Sequence, residues 1–171
     1  MIRVVLTGGE CTGKTTLAQR LAAQYGTVYS PEHSRVYAIQ VNRELAAADV
    51  EPIAHGQLGG EDSARVALRS LIFHDTDLIS TVVYARHYYG ACPAWIETAA
   101  RARRAELYLL CHPDVAWVAD PQRDRGERRE EMHALFTAAL QEFGCRTAEI
   151  HGDWNAREAQ AAAAVGELLR R

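Results

Sequence analysis

The chain has 171 residues and a mass of 18.9 kDa, which predicts a single domain large enough to bury a sizeable core. Its 19 basic and 22 acidic residues give a net charge of −3, which disfavours a general nucleic-acid binder. No apolar run approaches the roughly 20 residues of a membrane span. The four cysteines are scattered and form no CxxC pair, so neither a disulfide scaffold nor a structural zinc site is expected, and a cytoplasmic location fits.

Short apolar runs alternate with amphipathic helical patterns along the chain. Strands are predicted over residues 2–7, 27–29, 71–73, 107–111 and 147–150. Helices are predicted over residues 14–25, 32–47, within 54–69, and over 78–89, 93–104, 130–143 and 156–169. In the second helix, Val36, Ile39 and Leu45 are expected to face inward. The alternation predicts an α/β fold with a five-stranded, mainly parallel sheet, helices on both faces and ligands at the carboxyl ends of the strands.

A phosphate-binding loop is predicted at residues 8–15, which read GGECTGKT and match the pattern G-x-x-x-x-G-K-[S/T]. The motif lies between a predicted strand and a predicted helix. A simple glycine turn would not account for that context together with the lysine and the threonine. Lys14 is expected to contact the β- and γ-phosphates of ATP, and Thr15 to bind Mg²⁺. The expected nucleotide-binding residues are Gly8, Gly9, Glu10, Cys11, Thr12, Gly13, Lys14, Thr15 and Thr16.

Two aspartates follow the third predicted strand, where an α/β sheet places its ligands. Asp75 closes the strand in the manner of a Walker B acid, so its carboxylate is expected to bind Mg²⁺ together with Thr15 or to accept a proton from an attacking hydroxyl. Asp77 lies two residues further on and is a second candidate for such a role. The alternative for Asp77 is a helix N-cap before Leu78.

Glu32 and Arg35 follow the second predicted strand and precede a helix. In a P-loop kinase this loop faces the acceptor substrate. A carboxylate there can hold sugar hydroxyls, and a guanidinium can reach a phosphate. The alternative for both residues is an ordinary surface helix start.

A charged segment over residues 120–131 is predicted to be a small lid. It carries four arginines among five acids, at the place where small kinases bring arginines over the transferring phosphoryl group. The alternative is a solvated helix start of mixed charge. Nearby, Trp117 is either a core residue or a stacking platform for a flat ring. The four arginines are Arg123, Arg125, Arg128 and Arg129.

Other P-loop classes are disfavoured by motifs that the sequence lacks. There is no N-K-x-D segment to read guanine, which argues against a GTPase, and no glutamate directly follows Asp75 as it does in many ATP-hydrolysing motors. A small-molecule kinase that uses ATP remains.

Nearly the whole chain resembles the nicotinamide riboside kinase domains of the NadR family, within the broader AAA-like P-loop kinases. The resemblance depends on the P-loop and on the order and spacing of four further segments. These are Glu32-x-x-Arg35-x-Tyr37, HGQ at 55–57, FHDTD at 73–77 and WVADxxR at 117–123. The resemblance implies one P-loop kinase domain over residues 1–171, whose partner is a small-molecule nucleoside substrate. From the net charge and the lack of a long apolar run, no nucleic-acid or membrane partner is expected.

The implied reaction is transfer of the γ-phosphoryl group of ATP to the ribose 5′-hydroxyl of nicotinamide riboside, with Mg²⁺ as the metal. Residues 154–157 take the place where such kinases flank the adenine. The implied catalytic residues are Lys14, Asp75, Arg123 and Arg129. The implied substrate-binding residues are Glu32, Arg35, Asp77, Trp117 and Asp120.

Two departures keep the acceptor open. The chain has Asp120-Pro121-Gln122-Arg123 where the family often reads D-G-x-R, and proline at this point removes a backbone donor. Ala116 stands where a proline is common. The alternatives are a kinase of another nucleoside or small alcohol, or a non-catalytic ATP-binding regulatory module.

Overall fold

The computed structural model describes residues 1–66, 70–115 and 128–170. Its strands are β1 (Ile2–Thr7), β2 (Val28–Ser30), β3 (Leu71–Asp75), β4 (Leu107–Cys111) and β5 (Thr147–Ile150). They form one sheet in the order β2-β3-β1-β4-β5, and every neighbouring pair is parallel. The predicted α/β class and five-stranded sheet are therefore confirmed.

Helices cover both faces of this sheet. They are α1 (Lys14–Gln24), α2 (His33–Val41), α3 (Val50–Val66), α4 (Leu78–Tyr89), α5 (Ala94–Ala102), α6 (Arg129–Glu142) and α7 (Trp154–Leu169), with a short 3₁₀ helix at Ala47–Asp49. None of the helices that the structure describes is long and apolar enough to cross a lipid bilayer.

The strand pleat divides the core into two layers. In β1, Val4 and Leu6 pack with residues of α1 and α7, whereas Val5 between them packs with residues of α4, α5 and α6. The central strands are buried on both faces, which explains why β4 reads as the continuous apolar run LYLLC instead of an alternating pattern. The carboxyl ends of β1 and β3 thereby come to the same edge of the sheet.

The prediction for the second helix was wrong in its length and in its buried face. α2 ends at Val41, and the next residue, Asn42, takes the left-handed conformation with φ 48° and stops the helix. Val36 and Ile39 are 42% and 59% exposed. α2 packs on α3, and Tyr37 turns inward to donate its hydroxyl to Asp49, so the apolar face of the helix remains at the surface.

His74 in β3 and Glu61 in α3 are titratable side chains that the fold buries. Burial lowers the pKa of His74 to about 4, and neither of its ring nitrogens has a hydrogen-bond partner among the described residues. Burial raises the pKa of Glu61 to about 7; the nearby Asp77 carboxylate adds to the shift and Arg103 opposes it. Glu61 lies 3.4 Å from the Arg103 guanidinium, which also bonds the exposed Asp62.

The burial of Glu61 predicts a pH-dependent stability difference. Between pH 4.5 and 7 the unfolded state binds fewer protons at this carboxyl than the folded state does, so its contribution to stability falls as the pH rises. Relative to wild type, Glu61→Gln should gain up to about 3 kcal/mol of unfolding free energy across that window. Urea unfolding at several pH values measures the gain. His74 acts in the opposite direction, but it is present in both proteins and cancels in the difference. A pH-independent difference would contradict the prediction, and Asp62→Asn, which removes the other carboxylate on Arg103, is the matched control.

Candidate active site

The loop between β1 and α1 has the backbone shape of a phosphate cradle. Gly8 has φ 127°, and a Cβ there would lie 2.7 Å from the Cys111 carbonyl oxygen, so only glycine fits. Gly13 has φ 84° and Cys11 has φ 53°, so the loop takes the left-handed conformation at both positions before the helix starts. The N-cap residue of α1 is Gly13, which has no side chain to cap the first amides of the helix. A helix N-terminus of this kind suits an anion.

Lys14 is held inside this loop. Its side chain is buried, and Nζ donates to the Gly9 carbonyl oxygen at 2.7 Å. The Thr12 hydroxyl donates to the same carbonyl at 2.9 Å, which braces the loop from within. The chain contains no other lysine, so this ammonium group is chemically unique in the protein.

Thr15 and Asp75 meet at the mouth of the loop. The Thr15 hydroxyl donates to Asp75 Oδ2 at 2.5 Å, which joins the start of α1 to the end of β3. Asp75 is 1% exposed, and its Oδ1 has no hydrogen-bond partner among the described residues. Burial raises the pKa of this carboxyl, while Lys14 opposes the shift and Glu32 adds to it. The Thr15 hydroxyl and the Asp75 carboxylate are both hard oxygen donors, which Mg²⁺ prefers as ligands. These two residues therefore fit the predicted metal.

A cleft of about 570 Å³ opens beside the P-loop. This volume lies within the roughly 300–1,000 Å³ of small-molecule sites. Residues of the P-loop and of the start of α2 both line it, and Tyr84 and Trp154 add aromatic surface. The lining residues are Glu10, Cys11, Thr12, Gly13, Lys14, Thr15, Thr16, Glu32, Ser34, Arg35, Ala38, Leu45, Thr76, Tyr84, Val115 and Trp154.

Glu32 and Arg35, predicted to face an acceptor, both line the same cleft as the P-loop residues. Glu32 immediately precedes α2, and its Oε1 accepts a hydrogen bond of 2.5 Å from the Ser34 hydroxyl. The fold therefore brings a carboxylate and a guanidinium to the same space as the phosphate cradle, although 17 or more positions separate them from Lys14 and Thr15 in the chain. Leu45, expected to face inward, also lines this cleft and is half-buried.

Asp77 takes its alternative role as a helix cap. Its Oδ1 accepts from the Ile79 amide at 2.9 Å, and Oδ2 accepts from the Tyr108 hydroxyl at 2.7 Å. The side chain is buried, and it is not among the cleft-lining residues. Burial raises the pKa of this carboxyl, and the hydrogen bonds from Tyr108 and from the helix amides oppose the shift. A contact with substrate, expected from the sequence, has no support in this geometry.

Among the predicted lid arginines within the described residues, Arg129 is the one that contacts the P-loop. It is the first residue of α6, and its guanidinium donates to the Cys11 carbonyl oxygen at 3.2 Å. Arg128 lies beside Glu131 at 3.6 Å on the surface, as a solvated helix start would. Trp117, Asp120 and Arg123, together with Arg125, lie outside the described residues.

Sequence reasoning missed the part played by Arg157. It expected residues 154–157 beside the adenine, and Trp154 does line the cleft with its ring against Gly13. Arg157, however, is fully buried. Its guanidinium donates to the Thr12 carbonyl and the His112 carbonyl, each at 2.9 Å, and pairs with Asp114. It thus ties the P-loop to the end of β4. The alanine-rich pattern of α7 gave no sign of this.

Comparisons with known proteins agree with this architecture. A family model described as an AAA domain matches residues 3–157. The NadR proteins of Escherichia coli (strain K12) and Salmonella typhimurium (strain LT2), each named a trifunctional NAD biosynthesis/regulator protein, are 27% and 26% identical to it over 97% of this chain. The chain spans 42% of the length of each of these relatives.

Solved structures show the same fold. A NadR protein in complex with NR superposes with a TM-score of 0.79 at 26% identity, over 98% of this chain and 49% of that one. A NadR complex with NAD and AMP-PNP gives 0.81 at 26% identity, over 99% of this chain and 50% of that one. Thymidylate kinase from Ehrlichia chaffeensis, 13% identical, gives 0.69 over 96% of this chain and 98% of its own, which shows the fold alone.

The family model covers most of the chain. The P-loop and the Thr15–Asp75 pair lie together at the edge of the sheet formed by the carboxyl ends of β1 and β3. The resemblance drawn from the sequence motifs is confirmed. The chain belongs to the AAA-domain family, and it is similar in sequence and fold to the NadR proteins.

Proposed function

We propose that the protein is an ATP-dependent kinase that phosphorylates the ribose 5′-hydroxyl of nicotinamide riboside and forms nicotinamide mononucleotide. The observation that carries the proposal is that the P-loop, Glu32 and Arg35 line the same cleft. Solved NadR relatives of the same fold hold NR in one case and NAD with AMP-PNP in the other, which supports both halves of the assignment.

On the nucleotide side, the loop amides and the N-terminus of α1 bind the phosphates, and Lys14 adds a positive charge at the β- and γ-phosphates. Thr15 and Asp75 hold Mg²⁺, which when bound neutralises charge on the phosphate oxygens. Arg129 is already placed against the loop and serves as a further cation for the transferring group. Catalysis of this kind depends mainly on positioning and charge neutralisation.

On the acceptor side, the Glu32 carboxylate binds ribose hydroxyls and Arg35 supplies positive charge at the rim. Tyr84 and Trp154 bring flat aromatic surface to the same cleft. Trp117, Asp120 and Arg123 keep the roles that the family resemblance implies: the first two contact the nicotinamide or its ribose, and the arginine covers the phosphates.

Incubation of the purified protein with Mg·ATP and millimolar nicotinamide riboside tests this function. Chromatography with mass detection should show nicotinamide mononucleotide and a matching amount of ADP. No mononucleotide from protein that circular dichroism shows to be folded would refute this acceptor. A panel of other nucleosides and small alcohols then separates two outcomes, because a kinase of different specificity phosphorylates one of them, whereas an ATP-binding regulatory module phosphorylates none.

A further inference from the structure

Two histidines and a glutamate from three different elements converge at the edge of the sheet beside β5. Glu149 in β5 pairs in register with Leu110 of β4, so both lie on the face that α6 covers. His112 follows two residues after Leu110, and its amide continues the ladder by donating to the Ile150 carbonyl at 2.9 Å. His133 is supplied by α6, which packs over this face. We refer to His112, His133 and Glu149 as the His–Glu cluster.

The atoms of the His–Glu cluster lie at distances that suit one metal ion. One nitrogen of each imidazole and one carboxylate oxygen lie within 4.8 Å of one another. The Glu149 oxygen is 2.5 Å from His112 Nε2 and 3.9 Å from His133 Nε2. Ligand atoms around a tetrahedral ion with bonds of about 2.0–2.2 Å lie roughly 3.4 Å apart, between these two distances. Small side-chain rotations are therefore enough to bind an ion.

The surroundings also suit a metal. The side chains of His112 and His133 are 33% and 16% exposed, so an ion can enter from solvent and keep a water ligand. The His133 Nδ1 atom is buried and has no hydrogen-bond partner among the described residues. The two rings lie only 4.2 Å apart between centroids, so both imidazoles can reach one ion.

We propose that the His–Glu cluster binds a divalent transition metal and that zinc is the ion it suits best. Two imidazoles, one carboxylate and an open position form a recognised zinc donor set, whereas Mg²⁺ and Ca²⁺ prefer oxygen ligands throughout. A structural zinc site was not expected from the sequence, because the cysteines form no CxxC pair. That expectation concerns cysteine ligands, and the His–Glu cluster contains none. It shares no residue with Thr15 and Asp75, so it is separate from the magnesium site.

Binding there would act on the position of α6. Arg129 and His133 are four residues apart on that helix, and therefore lie one turn apart on the same side. An ion joining His133 to β4 and β5 fixes the first turn of α6, and with it the Arg129 guanidinium beside the Cys11 carbonyl. Zinc is thus a positioning device for the phosphate side of the cleft and takes no part in bond making.

Metal titration of the full chain without a histidine tag tests the proposal. After chelator treatment and dialysis, calorimetry with Zn²⁺ alone should show one saturable equivalent, and Co²⁺ should give the visible absorption of a four-coordinate nitrogen–oxygen site. His133→Ala and Glu149→Gln should each weaken binding by more than the roughly 10- to 100-fold that follows loss of an outer-shell partner. His87→Ala, which removes a histidine of α4 outside the cluster, should bind like wild type.

Zinc should also raise the melting temperature of wild type and His87→Ala but not of His133→Ala, because only a ligand bound to the folded state stabilises it. Two results would overturn the proposal: folded wild-type protein that takes up no saturable zinc, or cluster variants that bind it as tightly as wild type. Glu149 is about half exposed and its replacement by glutamine preserves shape, so that variant stays informative even if His133→Ala folds poorly. These readouts do not depend on kinase activity.

Discussion

Asp75→Asn should slow phosphoryl transfer by orders of magnitude while ATP binding largely persists. Asparagine keeps an oxygen that can accept the Thr15 hydroxyl, but it can neither carry the charge that holds Mg²⁺ nor accept a proton. We expect the turnover number to fall by about 10²- to 10⁴-fold. Nucleotide affinity should change far less, because the loop amides and Lys14 are untouched. Single-turnover assays and calorimetry with a non-hydrolysable ATP analogue separate the two effects.

The same substitution should leave the fold intact or slightly more stable. Asp75 is 1% exposed and burial raises the pKa of its carboxyl, so a neutral amide of the same shape removes a charge that is costly to bury. Thermal unfolding checks this. Asp62→Asn, at an exposed aspartate of α3, should match wild type in turnover. Turnover of Asp75→Asn within about twofold of wild type would show that the carboxylate has no role in transfer or metal binding.

Lys14→Ala should reduce transfer at least about 10³-fold, the upper range for losing one preorganised charge-stabilising donor. The ammonium is buried in the loop against the Gly9 carbonyl, and no other lysine in the chain can replace it. Lys14→Arg should not restore activity, because the larger planar guanidinium group does not fit in the space that the compact ammonium group occupies. Steady-state assays at saturating ATP measure both losses.

The uniqueness of Lys14 provides a direct binding test in the wild-type protein. An amine-selective acylating reagent can modify only this side chain and the chain's amino terminus. Mass spectrometry should then show that ATP protects the Lys14 peptide, with the terminal peptide as the internal control. Equal labelling with and without ATP would place the nucleotide elsewhere.

Most of the fold and one half of the site were predictable because they depend on local chemistry. The GGECTGKT segment specifies its loop through glycines whose φ values or close neighbours exclude a side chain, as at Gly8 and Gly13. The buried runs of β3 and β4 are read directly from sequence, because a parallel strand covered on both faces must be apolar throughout. The placement of Asp75 at the end of a strand follows from the same pattern.

The remaining features depend on contacts between distant parts of the chain. Asp77 had two readings at the sequence level, and the Tyr108 hydroxyl, 31 positions away, favours the cap. The exposure of Val36 and Ile39 depends on which side of α2 meets α3, which periodicity cannot reveal. Local patterns were thus sufficient for the sheet, the P-loop and the position of Asp75 at the end of its strand. The buried brace at Arg157 and the His–Glu cluster needed the folded chain, because their partners become neighbours only when β4, β5, α6 and the P-loop pack together.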